Sequence, residues 1–200
     1  MNKIMKIKSL KNQDGKLLKG LALFTPEKFY DNRGFFMETW NKKLFNKKII
    51  QEVDFVQESH SISKLGVLRG LHYQIKPHSQ GKLISCISGE IFDVAIDIRK
   101  DSKTFATWTG VYLNSENHNQ FWIPEGFAHG FLTLSKSADV FYKMTSYWCK
   151  ESERSILWND NKINIKWPNV LLNENHIQPI LSTKDQSSKG INNLEDHDLF

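Results

Sequence analysis

The sequence predicts an all-β sandwich or barrel, and three observations carry that prediction. Short apolar runs rich in Val, Ile, Phe and Tyr recur along the chain, about ten of them, with turn signals every ~8–12 residues. Helical periodicity is confined to one stretch, residues 41–50, where Asn41 can cap and Leu44, Phe45 and Ile49 share a face. No alternation of strands with long helical segments occurs, so a parallel α/β sheet is not predicted.

Two hundred residues, 40% hydrophobic and 24% charged, suffice for one soluble domain with a full core. Six Trp and thirteen Phe supply bulky material for the core and for pocket walls. The formal charge is +5, with lysines clustered near the N-terminus (Lys3, Lys6, Lys8, Lys11) and again at Lys42, Lys43, Lys47 and Lys48. These clusters lack the interleaved aromatics of a nucleic-acid stacking platform, so no nucleic-acid partner is expected, and the basic balance suits an anionic ligand. Two cysteines, Cys86 and Cys149, make no CxxC pattern and fit a reducing compartment. No apolar segment follows the first lysines to form a signal peptide, and no run approaches the ~20 apolar residues of a membrane span. The expected location is therefore cytoplasmic, away from membranes.

Taken in order, Leu21 to Phe24 form a short apolar run stopped by Pro26. Asp31-Asn32-Arg33-Gly34 is a turn signal before the strand-like Phe35-Phe36-Met37. After the helical stretch, strands are predicted over 53–61, 66–75, 82–87 and 91–98. In the last of these Phe92, Val94, Ile96 and Ile98 share one face, and Asp93 and Asp97 share the other. Strand patterns continue over 105–113, 120–123, 130–134, 140–148 and 155–158. Beyond Pro168 the periodicity fades. The domain is expected to occupy residues 1–185, with 186–200 a polar, mobile tail.

Chemistry concentrates first in Gly66-Val67-Leu68-Arg69-Gly70-Leu71-His72-Tyr73-Gln74. Arg69 and His72 are three apart, so a regular strand would point them to opposite faces. Gly70 between them is where a bulge could bring both to one side. A buried arginine–histidine pair satisfied by its neighbours is the plainer alternative. Lys82 opens the strand after the short Pro77-to-Gly81 turn, and is expected to lie beside the His72 strand in a hairpin. His129 sits between Phe127 and Phe131 in a tight Pro- and Gly-bounded corner, where a hydrogen-bonded core histidine is the commoner outcome. Tyr142 shares a predicted strand face with Val140 and Met144, and a buried tyrosine hydroxyl needs a partner. Lys184 and Asp185 stand just before the predicted tail and by themselves would read as surface.

Two residues after His72 stands Gln74 rather than a second histidine, so the spacing of a metal site is missing and no metal is expected. No G-x-S-x-G elbow and no phosphate-binding glycine loop occurs. A histidine, a lysine and a tyrosine on strands of one barrel suit proton abstraction beside a carbonyl. A fixed cation stabilises the enolate as it forms, and histidine serves as base. A tyrosine on the opposite face can return a proton there, which inverts the carbon. A carboxylate holding the other ring nitrogen would improve the base, and pattern alone does not choose it.

The chain closely resembles the dTDP-4-dehydrorhamnose 3,5-epimerases. The matching segments include 29–38, 56–61, 66–74, 80–82, 91–100, 122–131, 142–143, 155–160 and 182–185. The resemblance implies a single-domain, cupin-type jelly-roll β-barrel with few short helices, and a homodimer whose protomers share site residues. It implies inversion of C3 and C5 of dTDP-4-dehydro-6-deoxy-D-glucose, without metal or cofactor, in dTDP-L-rhamnose biosynthesis for surface polysaccharide such as lipopolysaccharide O antigen. By the same likeness His72 is the base, Asp185 supports it, Lys82 lies near the keto oxygen and Tyr142 is the acid. Arg33, Glu38, Gln57, Ser59, Arg69, His129, Glu153 and Lys184 match positions that contact the nucleotide or sugar. Ser59 stands where Asn is common, and Trp148 where a second Tyr is common. A single-carbon epimerase or an epimerase of another nucleotide sugar is the nearest alternative, followed by a metal-dependent cupin enzyme and a non-enzymatic sugar-binding cupin.

Overall fold

A computed structural model describes residues 5–49, 51–172 and 174–200. The expected helix end at Ile50 and the cluster lysine Lys3 lie outside the described residues. The chain opens with β1 (Met5–Lys11) and β2 (Leu17–Pro26), followed by a small hairpin of β3 (Lys28–Asp31) and β4 (Gly34–Met37). Next come α1 (Lys42–Ile49), β5 (Gln57–Lys64), β6 (Leu68–Gln74), β7 (Lys82–Ser88) and β8 (Glu90–Asp97). They are followed by β9 (Trp108–Asn114), β10 (Gln120–Ile123), β11 (Phe127–Thr133) and β12 (Ser137–Met144). The last elements are β13 (Glu153–Ser155), the short β14 (Leu171–Leu172) and β15 (Asn175–His176), and α2 (Thr183–Gln186). The predicted all-β, cupin-like jelly roll is what the chain adopts. β1 was not expected: the lysines of Met5–Lys11 make it read as a polar start, although its apolar residues alternate with polar ones as in a strand.

Two sheets face each other. One runs β1-β2-β10-β7-β12-β5 and the other β13-β6-β11-β8-β9. Between them lies a core that includes Ile84, Ile91, Ala95, Leu113, Phe121, Phe131 and Val140. The outer face of the first sheet is covered by α1. Phe45, 1% exposed, stacks on Phe24 and meets Trp122 edge-on. Asn41 caps α1 by accepting the Leu44 N–H at 3.0 Å, as its position predicted.

β8 is buried on both faces, so its alternation carries a different meaning from the simple in–out pattern. Phe92, Val94, Ile96 and Ile98 face away from the lumen, against Ile163, Trp167 and Ile191. Asp93, on the other face and wholly buried, looks into the barrel. Residues 186–200, expected to be a polar tail, add apolar side chains to this outer layer. Ile191 is 3% exposed, and Leu194, Leu199 and Phe200 pack on the same cluster. Phe200 also exchanges backbone hydrogen bonds with Ile98 and Lys100. Each apolar side chain fully buried contributes about 1.5–3 kcal/mol, which offsets the ordering cost of a segment whose average composition is polar. Among the described residues, no helix is long and apolar enough to cross a membrane.

Candidate active site

The cavity lies between the two sheets, beside the aromatic core. It measures about 550 Å³, within the usual range for a small-molecule site. His72, Lys82, His129 and Tyr142 reach it from four different strands, and Asp185 reaches it from α2. Gln57, Ser59, Arg69 and Glu153 line it as well.

β6 delivers both Arg69 and His72 because it bulges. His129 pairs with His72 and Phe131 pairs with Arg69, so Gly70 and Leu71 together oppose Gly130 alone. Gly70 has φ +128°, and a Cβ there would stand 2.6 Å from the Gly130 Cα. Glycine is required on both counts. Arg69 Nε donates to Ser63 Oγ at 3.0 Å, which holds the guanidinium at the cavity rim.

His72 Nε2 lies 2.6 Å from Asp185 Oδ1. Burial pushes the Asp185 carboxyl up, but the bonds from His72 and Ser182 outweigh it and hold the group below the usual carboxylate range. Asp185 is positioned by the start of α2, where Ser182 Oγ accepts the Asp185 N–H at 3.1 Å.

Lys82 corrects one expectation. β6 and β7 do not form a hairpin, since they belong to opposite sheets. The 75–81 connection is too long for a tight hairpin turn and crosses the barrel end instead, fastened by Gln80 Nε2 donating to Ser146 O at 2.6 Å. Lys82 therefore faces the His72 strand across the cavity, its Nζ 3.4 Å from the His72 carbonyl. Burial lowers the ammonium to about 8.

Tyr142 shares its face with Val140 and Met144, as the alternation predicted, and its Oη lies 2.8 Å from Ser61 Oγ. Burial pushes the phenol above its ordinary value, so it carries its proton at neutral pH. His129 is both core residue and cavity wall: 4% exposed, its Nε2 lies 2.8 Å from Asp93 Oδ1. Burial lowers the imidazole and raises the carboxyl.

Three of the expected ligand contacts lie off the cavity wall. Lys184 turns to Glu153, 2.6 Å away. Arg33 is exposed on the β3–β4 hairpin and pairs with Asp31, and Glu38 follows that hairpin. Asp93 and Ser61 were not singled out as site residues. Asp93 was placed only on the face of the strand opposite Phe92 and Val94. Ser61 lay in plain view, since Gln57, Ser59 and Ser61 share one face of β5 by period 2. Trp148 also lines the cavity, and its backbone N–H donates to Gln57 Oε1 at 2.8 Å.

A family model described as dTDP-4-dehydrorhamnose 3,5-epimerase matches residues 16–193. A dTDP-4-dehydrorhamnose 3,5-epimerase from Shigella flexneri is 55% identical over 166 residues, 82% of this chain and 87% of that protein. The corresponding Pseudomonas aeruginosa protein is 50% identical over 180 residues, 90% of this chain and 94% of that one. Among solved structures, the dTDP-6-deoxy-D-glucose-3,5-epimerase of Legionella pneumophila, in complex with dTDP-4-keto-L-rhamnose, superposes with a TM-score of 0.88 at 44% identity. That similarity covers 98% of this chain and 97% of the Legionella chain.

Proposed function

The chain belongs to the dTDP-4-dehydrorhamnose 3,5-epimerase family, and from that premise we propose that its cavity inverts C3 and C5 of dTDP-4-dehydro-6-deoxy-D-glucose, giving dTDP-4-dehydro-L-rhamnose. The observation that carries this is the convergence of His72–Asp185, Lys82 and Tyr142 on one cavity. Both carbons flank the C4 ketone, so each inversion is a proton removed from one face and a proton returned to the other.

His72 takes the proton. With Nε2 held by Asp185, Nδ1 is the nitrogen left to act as base, and the carboxylate stabilises the imidazolium that forms. The electron pair moves onto the C4 oxygen, where the Lys82 ammonium compensates the growing charge. A preorganised donor of this kind contributes on the order of 10²–10³ in rate. Tyr142, protonated at neutral pH, returns a proton on the opposite face. The resulting phenolate and imidazolium are reset by exchange with solvent.

Gln57, Ser59, Arg69, His129 and Glu153 would hold the sugar and diphosphate, and the Glu153–Lys184 pair would offer its cation to the anionic ligand. Arg33 and Glu38 would act from a partner protomer. The β3–β4 hairpin supports this assignment, because it exposes Phe29, Tyr30, Phe35 and Phe36 beside Arg33, an apolar patch that a homodimer would cover. The expected setting is the cytoplasm, in the supply of dTDP-L-rhamnose for surface polysaccharide.

The deciding experiment is incubation with dTDP-4-dehydro-6-deoxy-D-glucose in D2O, followed by NMR at C3 and C5. Deuterium at both carbons is expected. Incorporation at one carbon alone would make this a single-site epimerase, and incorporation at neither would reject the proposal.

A further inference from the structure

β13 is only three residues long, yet it organises the site. It pairs with β6 at Glu153↔Gln74, Arg154↔Tyr73 and Ser155↔His72. Glu153 turns inward and meets Lys184, the residue before Asp185. Just beyond β13, Ile156 and Leu71 exchange backbone hydrogen bonds, at 2.9 and 3.2 Å. β13 thus borders both halves of the His72–Asp185 pair, and an edge strand this short has little intrinsic stability.

Arg154 points the other way, to the outside of the barrel, as strand alternation requires. There its Nε donates to Asp198 Oδ1, while Nη1 donates to the carbonyls of Glu151 and Glu153 at 2.8 and 3.0 Å. Asp198 is 8% exposed and is fixed in turn by the final residues. Phe200 N–H donates to the Ile98 carbonyl at 3.2 Å, and Lys100 N–H to the Phe200 carbonyl at 2.6 Å. Asp198 lies past residue 193, where the match to the family model ends.

We infer that the Arg154–Asp198 pair is a positioning clamp, by which the C-terminal segment fixes β13 from outside the barrel and so aligns the His72–Asp185 pair inside it. The catalytic consequence rests on the epimerase reading above; the mechanical one does not. Neither clamp residue lines the cavity. Releasing β13 leaves the pocket groups present but lets the base drift from its attack geometry, and small misplacements of that kind are costly.

The test is Asp198→Asn in the 200-residue chain, a nearly isosteric change. kcat for C3/C5 epimerisation is expected to fall about tenfold, with a smaller change in KM. Amide hydrogen exchange at Leu71 and Ile156 is expected to accelerate about tenfold, with Val94 unchanged. Asp198→Glu, which keeps the charge, should recover most of both losses. Unchanged exchange at Leu71 and Ile156 in Asp198→Asn would overturn the clamp, as would a full loss in Asp198→Glu despite a native melting temperature. If the wild type shows no epimerisation while exchange responds as described, the functional reading fails and the clamp stands.

Discussion

His72 and Asp185 are 113 residues apart in the chain and 2.6 Å apart in space. The bond joins the bulged strand β6 to a short helix that follows the barrel. The carboxylate fixes the ring and, in the proposed mechanism, offsets the charge that would form on it. His72→Ala should lower solvent deuterium uptake at C3 and C5 by about 10²–10⁴, the usual range for losing a positioned base. Asp185→Asn should lose less, because the ring remains while its orientation and charge compensation weaken. Uptake in His72→Ala at the wild-type rate would remove His72 from the mechanism.

On the proposed mechanism Lys82 sets an alkaline limit. Its ammonium is lowered by burial to about 8, so the cation proposed to face the developing enolate is lost above that pH. kcat should decline with an apparent pKa near 8, and Lys82→Arg, if it retains activity, should hold its rate to higher pH. The stability effect has the opposite sign. Between about 8 and the ordinary 10.5 the unfolded chain binds more protons than the native one at this site, so this group makes stability rise with pH across that window. A pH–rate profile flat to pH 10 in the wild type would contradict the assignment.

In the proposed mechanism Tyr142 acts after the proton has left. Tyr142→Phe keeps the ring against His129 and Phe131 but removes the hydroxyl that meets Ser61. Deuterium wash-in should persist in this variant while net inversion falls, because the enolate can still form and be reprotonated from the His72 face. Parallel NMR measurements of exchange and of product stereochemistry separate the two. An equal loss of both would place Tyr142 in binding rather than in proton return.

The parts of this site that can be read along the chain are those where a polar group interrupts an apolar strand. His72, Lys82 and Tyr142 stand out in that way, and their strands form close to where periodicity puts them. Residues whose role depends on a distant partner do not stand out. Asp93 alternates like a solvent-facing acid until β9 and β11 close around β8 and its face becomes the lumen. Lys82 was placed in a hairpin with β6 because chain distance suggests pairing, whereas the sandwich sends the two strands to opposite sheets. The C-terminal segment reads as a polar tail for a compositional reason. Ile191, Leu194, Leu199 and Phe200 are sparse among polar residues, yet all four reach one cluster.

Gly70 provides a stability test of the bulge itself. An alanine Cβ would stand 2.6 Å from the Gly130 Cα and 2.9 Å from the His129 carbonyl oxygen, and those are backbone atoms that cannot rotate away. The φ of +128° adds a conformational penalty for any L side chain. Overpacking and backbone strain each cost about 1–3 kcal/mol. Gly70→Ala should therefore destabilise the protein by about 2–4 kcal/mol, which for a chain of this size lowers the melting temperature by roughly 5–15 °C. Any folded fraction should lose activity as well, because β6 can relieve the clash only by giving up the register that brings Arg69 and His72 to one cavity. A melting temperature within about 2 °C of wild type, measured by calorimetry, would show that β6 tolerates a side chain at the bulge and that the close approach to Gly130 is not required.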